Sequence, residues 1–487
     1  MLPRLHLDSD ATEPLYKQLH EQIRAAIVDG RLSHGARLPA TRELAGSLGL
    51  NRATVSAAYE LLENEGLVRG HVGRGSFVER PGASAQGLVW EAMLPPLEAP
   101  PTGEAPISFA TSRPSEHLFP LDDFRVTCEE VIRGPEAAGI LQLGSPAGYG
   151  PLRRYLLDEA MAAGAARAGD DVLVSNGVQQ ALDLLQRVIV SPGETVLLED
   201  PVYHGLRNLL AHSGARVLGV PMTAAGVDVD ALARAVERER PRLVVLTPNF
   251  QNPTGATMPR AARLAALRAT VGAGVVLVEN DTYGDLRYTG QPLPTLKELD
   301  ETGSVVLLKS FSKIAFPGLR VGWITAPRAL VARLAEAKQW CDLHTDQLSQ
   351  AVLLRFATSG RLAQHRSRVL TAGAACLKAV LVACEKHLPP GTEFTRPEGG
   401  MNLWVRLPAP LDAAELQPRA QREGVSYLPG RYFEVSRREP RALRLSFAGL
   451  TPDQIRRGVA TLGKVFAAEL QASAGGGREF DNAPALV

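Results

Sequence analysis

Ser310-Phe311-Ser312-Lys313 closes an apolar run, Val305 to Leu308, and a few residues later the chain reads Phe316-Pro317-Gly318-Leu319-Arg320-Val321-Gly322-Trp323. A lysine leaving a strand end beside hydroxyls and an arginine suits a cofactor that carries both an aldehyde and a phosphate. The amine forms a Schiff base, and Ser310 and Arg320 help to neutralise the anion. A lone lysine would be surface noise, so the reading rests on what else the chain supplies. Upstream, Ser175-Asn176-Gly177-Val178-Gln179-Gln180-Ala181 is a glycine turn between a strand and a helix. The first amides of that helix, at Gly177, Val178 and Gln179, can cradle a phosphate.

Three further segments extend the constellation: Asp200-Pro201-Val202-Tyr203, Asn249-Phe250-Gln251-Asn252-Pro253-Thr254-Gly255 and Asn280-Asp281-Thr282-Tyr283. Tyr203 can stack on a pyridine face, and Asn252 and Tyr283 can hold a phenolic oxygen. Asp281 can pair with a protonated ring nitrogen and so keep the ring an electron sink. Near the other end, Arg444 within Ala442-Leu443-Arg444-Leu445-Ser446-Phe447-Ala448 offers a bidentate site for an amino-acid carboxylate. In this order the segments resemble the fold-type I aminotransferases over about residues 107 to 470. The resemblance implies pyridoxal 5'-phosphate as cofactor, and it carries over the roles of Lys313, Asn252, Asp281, Tyr203, Arg320 and Arg444. Two departures stand out. Leu143 sits where that family often has a tyrosine reaching the neighbouring subunit's phosphate. Ser112-Arg113-Pro114 replaces a Gly-x-Pro that lines the substrate site, which makes Arg113 a candidate second anion contact.

Around this core the chain alternates apolar runs, at Val172 to Val174, Thr195 to Leu198, Leu243 to Leu246, Val275 to Val278 and Val305 to Leu308, with helix-length segments. Such alternation predicts a large α/β domain with a mostly parallel sheet. After Gln364 come a long Ala/Leu/Val helix and short strands near Met401 to Leu407, Val425 to Leu428 and Leu443 to Phe447, the pattern of a small α+β C-terminal subdomain. At 487 residues the chain is long enough for at least two domains, and a net charge of +1 with 45% hydrophobic residues points to no particular partner. The apolar runs are strand-sized, short of the roughly 20 residues that span a bilayer, so no membrane segment is expected. Cys128, Cys341, Cys376 and Cys384 show neither disulfide nor metal-ligand spacing, and the first residues lack the apolar stretch of a secretory signal. Both observations set the expectation of a reducing cytoplasm and of no metal.

The N-terminal segment has a different character. Leu15, Leu19, Ile23 and Ile27 form one apolar stripe along a first helix. A second helix, about Thr41 to Leu48, stops at Gly49, and a third begins after Asn51, with Val55, Tyr59 and Leu62 inward. This is a helix-turn-helix pattern, in which the start of the second helix of the pair enters the major groove. That placement exposes Arg52, Thr54 and Ser56 to base edges and phosphates, with Arg52 the best candidate for a bidentate guanine contact. A hairpin, Leu67 to Arg69 and Ser76 to Val78, then carries Arg74 at its tip as a wing. From Leu-Pro-Ala-Thr-Arg-Glu-Leu-Ala through Gly-Arg-Gly-Ser-Phe-Val, residues 14 to 79 resemble the GntR family of winged-helix regulators. The resemblance adds Arg42 to the DNA-contacting positions.

The expected organisation is a winged helix-turn-helix over 1–79, a Pro/Gly/Ala-rich linker over 80–106, an aminotransferase-like domain over 107–470 and a flexible tail over 471–487. This architecture resembles the MocR-type regulators. It implies a homodimer, a double-stranded DNA operator and a small amino compound, or the cofactor itself, as effector. The rival reading is a working amino-acid aminotransferase with an accessory DNA-binding domain.

Overall fold

The computed structural model describes residues 5–9, 11, 13–71, 75–79, 93, 94 and 105–475, and the chain divides into two units, Met1–Ala99 and Pro100–Val487. Most of the stretch expected as a linker lies outside the described residues.

In the first unit, α1 (Leu15–Val28) sets Leu19, Ile23 and Ile27 fully into the core. Each such side chain contributes about 1.5–3 kcal/mol of burial free energy. α2 (Thr41–Leu48) stops at Gly49, whose φ of 66° is the left-handed cap that glycine adopts without a Cβ clash. α3 (Arg52–Asn64) starts at Asn51, whose side chain accepts a 3.0 Å hydrogen bond from the Ala53 amide. Val55, Ala58, Tyr59 and Leu62 face inward, and the Tyr59 hydroxyl donates to the Pro39 carbonyl at 2.9 Å. β1 (Val68–His71) and β2 (Gly75–Val78) pair antiparallel with Val68 opposite Val78. The result is the expected winged helix. Residues 72–74, and with them Arg74, lie outside the described residues.

The second unit begins with β3 (Ile107–Ser108), which pairs in parallel with Val425–Ser426. Then come β4 (Asp170–Asn176), β5 (Thr195–Asp200), β6 (Arg216–Thr223), β7 (Gly226–Val227), β8 (Leu243–Leu246), β9 (Val276–Asn280), β10 (Val305–Ser310) and β11 (Val321–Pro327). They form one sheet in the order β4-β11-β10-β9-β8-β5-β6-β7. The run from β10 to β6 is parallel, as the alternation of strands and helices predicts, while β11 lies antiparallel between β10 and β4. The strands have a strict pleat. Leu198, Val245, Val278, Val306 and Leu308 pack on one face of the sheet, and Leu197, Val244, Leu246, Leu277 and Val305 on the other. The carboxyl ends of β5, β8, β9 and β10 therefore open into one crevice, the usual place for a ligand in an open α/β sheet.

The small subdomain is an antiparallel sheet in which Asn402–Arg406 pairs with Ala442–Ser446, with Trp404 opposite Arg444. Two helices cover it, Arg361–His387 and Pro452–Gly475, which contact each other. Arg361–His387 is long and apolar enough by composition to cross a membrane. Here its Cys376, Leu377, Val380 and Ala383 are buried against Leu403, Leu443, Leu445 and Phe466, so it is a core helix. The last helix continues to Gly475, beyond the Leu470 at which the domain was expected to end. Its Ala-rich end, Ala467, Ala468, Ala472 and Ala474, favours helix and carries it past that point.

Candidate cofactor site

The crevice holds a cavity of about 420 Å³ whose lining includes Ser112, Val178, Gln179, Tyr203, Asn252, Asn280, Tyr283, Ser310, Lys313, Arg320 and Arg444. β10 delivers the lysine: the strand ends at Ser310, and a single turn of 3-10 helix, Phe311–Lys313, follows. The Ser310 hydroxyl accepts from the Ser312 amide at 3.0 Å and donates to the Ser312 hydroxyl at 2.9 Å, which fixes that turn. The Lys313 ammonium donates to the Ser112 carbonyl at 2.8 Å and lies 5.6 Å from the centre of the Tyr283 ring.

On one side of Lys313 the groups suit a phosphate. Helix Gly177–Ile189 starts at the end of β4 and brings Val178 and Gln179 to the cavity wall. Gly177 itself has φ of 74°, and a Cβ there would lie 2.4 Å from Arg320 Nη2. Only glycine lets the arginine approach the helix start so closely. Arg320 also takes a left-handed conformation, φ 55°, at the turn into β11.

On the other side stand hydrogen-bonding groups for a phenolic oxygen and a carboxylate. Asn252 Nδ2 donates to the Tyr283 hydroxyl at 3.3 Å, and Arg444 Nη1 donates to Asn252 Oδ1 at 3.0 Å. Burial pushes the Tyr283 hydroxyl up, but the Lys313 cation, the Ser112 hydrogen bond and Arg444 outweigh it and hold the group below the usual tyrosine value. Burial also lowers the Arg444 guanidinium to about 10, and its Nε has no partner among the described residues. A buried guanidinium with an unused donor is costly unless an anion completes it. Tyr203 forms the wall together with His204, their ring centres 4.8 Å apart, and burial beside Arg444 and Arg207 holds His204 at about 4.

Two sequence expectations are corrected. Asp281 does not line the cavity. Its Oδ1 accepts from Asn249 Nδ2 at 2.8 Å and its Oδ2 lies 3.7 Å from Lys309 Nζ, on the far face of the sheet. The strand pleat explains this: Asn280, on the face of Val278, is the residue that β9 turns into the cavity. Arg113 is exposed and pairs with Glu116 at 3.5 Å, and the cavity takes its neighbour Ser112 instead. Thr247 and His204 also line the site and had not been singled out. Thr247 follows β8 on the cavity face by the same alternation.

In the winged helix, Arg42 and Arg52 are exposed near the starts of α2 and α3, with Ser56 exposed and Thr54 half-buried. Their cations are available to an anion.

Residues 119–462 match the family Aminotransferase class I and II, and residues 15–78 match the Bacterial regulatory proteins, gntR family. The probable rhizopine catabolism regulatory protein MocR of Rhizobium meliloti is 31% identical over 95% of this chain and 96% of its own length. The chain belongs to the MocR-type regulators. The aminotransferase half of this MocR-type chain also has free-standing relatives. A 2-aminoadipate transaminase of Thermus thermophilus is 37% identical over 74% of this chain and 89% of its own length. The solved kynurenine aminotransferase of Pyrococcus horikoshii superposes with a TM-score of 0.73 at 32% identity, over 76% of this chain and 92% of that one. An aminoadipate aminotransferase of Thermus thermophilus, solved with a phosphopyridoxyl-leucine adduct, gives 0.71 at 36% identity, over 75% of this chain and 93% of that one. The cofactor of the MocR-type chain is pyridoxal 5'-phosphate, whose aldehyde, phosphate and phenolic oxygen the cavity residues fit.

Proposed function

We propose that this chain is a pyridoxal-phosphate-dependent transcription regulator in which the winged helix binds an operator and the cavity senses an amino compound. The observation that carries the reading is the buried Arg444 guanidinium, which lines the same cavity as Lys313 and has a donor unused among the described residues, in a chain that also has a DNA-reading head. When bound, the cofactor supplies an aldehyde that captures primary amines and a ring that can withdraw electrons. Lys313 would hold the aldehyde until an incoming amine takes its place. Ser310, Arg320 and the Val178 and Gln179 amides would hold the phosphate, while Tyr283 and Asn252 would orient the phenolic oxygen. Arg444 would select amines that carry a carboxylate. Its bond to Asn252 would then join effector binding to the orientation of the cofactor.

Arg42, Arg52, Thr54 and Ser56 are the proposed DNA contacts, together with Arg74, which lies outside the described residues. The domain limits 1–79 and 107–475 and a cytoplasmic location belong to the same reading. A homodimer is proposed from an apolar surface. Leu141, Leu143, Trp340 and Leu343 are all more than half exposed, and Gln347, four residues after Leu343, donates from its Nε2 to the Gln142 carbonyl at 2.6 Å. Large exposed apolar side chains grouped in this way mark a contact surface. The aminotransferase relatives favour a second reading, in which the same cavity turns substrate over. The test is to titrate the full-length protein with amino acids, following the visible band, and to measure binding to a duplex selected from a random library. An amine that shifts the band should shift DNA affinity. Rapid transamination with no change in DNA binding would favour the second reading.

A further inference from the structure

The structure assigns the position facing the cofactor's ring nitrogen to Asn280, a neutral amide, so that this site holds its cofactor with an uncharged ring and is a sensor of amines with little transaminase activity. The assignment rests on the proposed cofactor and sensor reading and follows from the pleat of the sheet. Val245, Val278 and Leu308 lie on one face, and two residues further along each chain come Thr247, Asn280 and Ser310, all of which line the cavity. Leu277 lies on the opposite face, and two and four residues on come Glu279 and Asp281. Both are buried, with Asp281 held by Asn249 and Lys309. The carboxylates at the end of β9 are therefore turned away from the crevice.

In pyridoxal the ring nitrogen lies para to the carbon bearing the aldehyde, and the aldehyde is flanked by the phenolic oxygen and the phosphate arm. Lys313 claims the aldehyde, Tyr283 and Asn252 the oxygen, and Ser310, Arg320 and the helix start the phosphate. The ring nitrogen must then point away from Lys313, towards the strand-end floor that Thr247 and Asn280 supply. Asn280 Oδ1 already accepts from the Thr282 hydroxyl at 2.5 Å. This leaves the amide Nδ2 to face the ring, and it is a donor. A donor suits an unprotonated pyridine nitrogen, whereas a protonated one needs a carboxylate partner. Without the positive ring the electron sink is weak. Capture of an amine by exchange at Lys313 would be unaffected, but removal of the amine's α-proton would be slow, and with it the return of a proton to the aldehyde carbon and the hydrolysis by water that leaves the amino group on the cofactor and releases a 2-oxo acid.

The experiment uses the full chain loaded with pyridoxal phosphate labelled with nitrogen-15 in the ring, with L-2-aminoadipate and L-phenylalanine as probes. The wild-type ring nitrogen should show the chemical shift of a neutral pyridine at neutral pH. Asn280→Asp should move it to the pyridinium range and raise the single-turnover rate of 2-oxo acid formation by on the order of 100-fold. Asp281→Asn should leave the nitrogen shift where it is. A pyridinium shift in the wild type, or a shift that follows Asp281→Asn and not Asn280→Asp, overturns the assignment while the sensor reading stands. A protein that takes up no cofactor overturns both.

Discussion

Arg444 and Glu199 are both fully buried, yet they answer to different demands. Arg444 has one nitrogen bonded to Asn252, one to the Ala110 carbonyl and one unused, so its environment is incomplete without an anion. Arg444→Ala should weaken binding of a carboxylate-bearing amine by about 1.5–3 kcal/mol, the range for hydrogen bonds to charged groups. An amine lacking the carboxylate should lose nothing, which a titration of the visible band would report. Glu199 is complete as it stands: it accepts from the Thr247 amide at 2.9 Å and from Gln251 Nε2 at 3.2 Å. Burial nevertheless raises its carboxyl from 4.5 to about 7. A folded-state value above the unfolded one means stability that is full below about 4.5 and is lost as pH rises through about 7. Glu199→Gln should flatten that part of the pH profile, and thermal melts between pH 5 and 8 would show it. An unchanged slope would mean that Glu199 stays ionised in the fold.

At the scale of elements, α3 is positioned by its cap and its inner face, which leaves Arg52 free for DNA. Arg52→Ala should weaken binding to a selected duplex by about 1–3 kcal/mol while preference at one base position relaxes. Equal loss on all sequences would mean a phosphate contact instead. The helices of this head were legible in the sequence because each boundary has a local marker: Gly49 stops α2, Asn51 caps α3, and Leu19, Ile23 and Ile27 repeat at helical spacing. The parallel strands β5, β8, β9 and β10 were legible too, as apolar runs, whereas β6, broken by Gly219 and Pro221, was not read. What the sequence reading misplaced was a side-chain direction. In Asn280-Asp281 the acid was taken for the cavity residue because its charge suited the chemistry, although a step of one residue along a strand reverses the face. Counting from Val278, which packs under the cavity, would have selected Asn280. β11 was missed as a strand for a different reason. Its Val321-Gly322-Trp323 was absorbed into the loop that follows Lys313, and the antiparallel insertion between β10 and β4 has no local marker. Arg113 could not be placed from sequence, because whether Ser112 or Arg113 enters the cavity depends on the crossing of the segment after β3.

For the whole molecule the account requires that amine binding in one unit changes DNA binding by the other. An amine can do so only through a difference in its affinity for two states of the protein, and tenfold in DNA affinity corresponds to about 1.4 kcal/mol of coupling. Lys313→Ala removes exchange with the lysine and leaves an amine only direct condensation with a free aldehyde, so the effect on DNA affinity should set in more slowly, while the DNA affinity of the amine-free protein stays unchanged. Coupling between binding sites is reciprocal, so DNA must alter amine affinity by the same factor. The most direct measurement is therefore a titration of the visible band with an effective amine, carried out in the absence and in the presence of saturating selected duplex. The account predicts two midpoints separated by the same factor that the amine imposes on DNA binding. Superimposable titrations, with the band shifting fully in both, would contradict it.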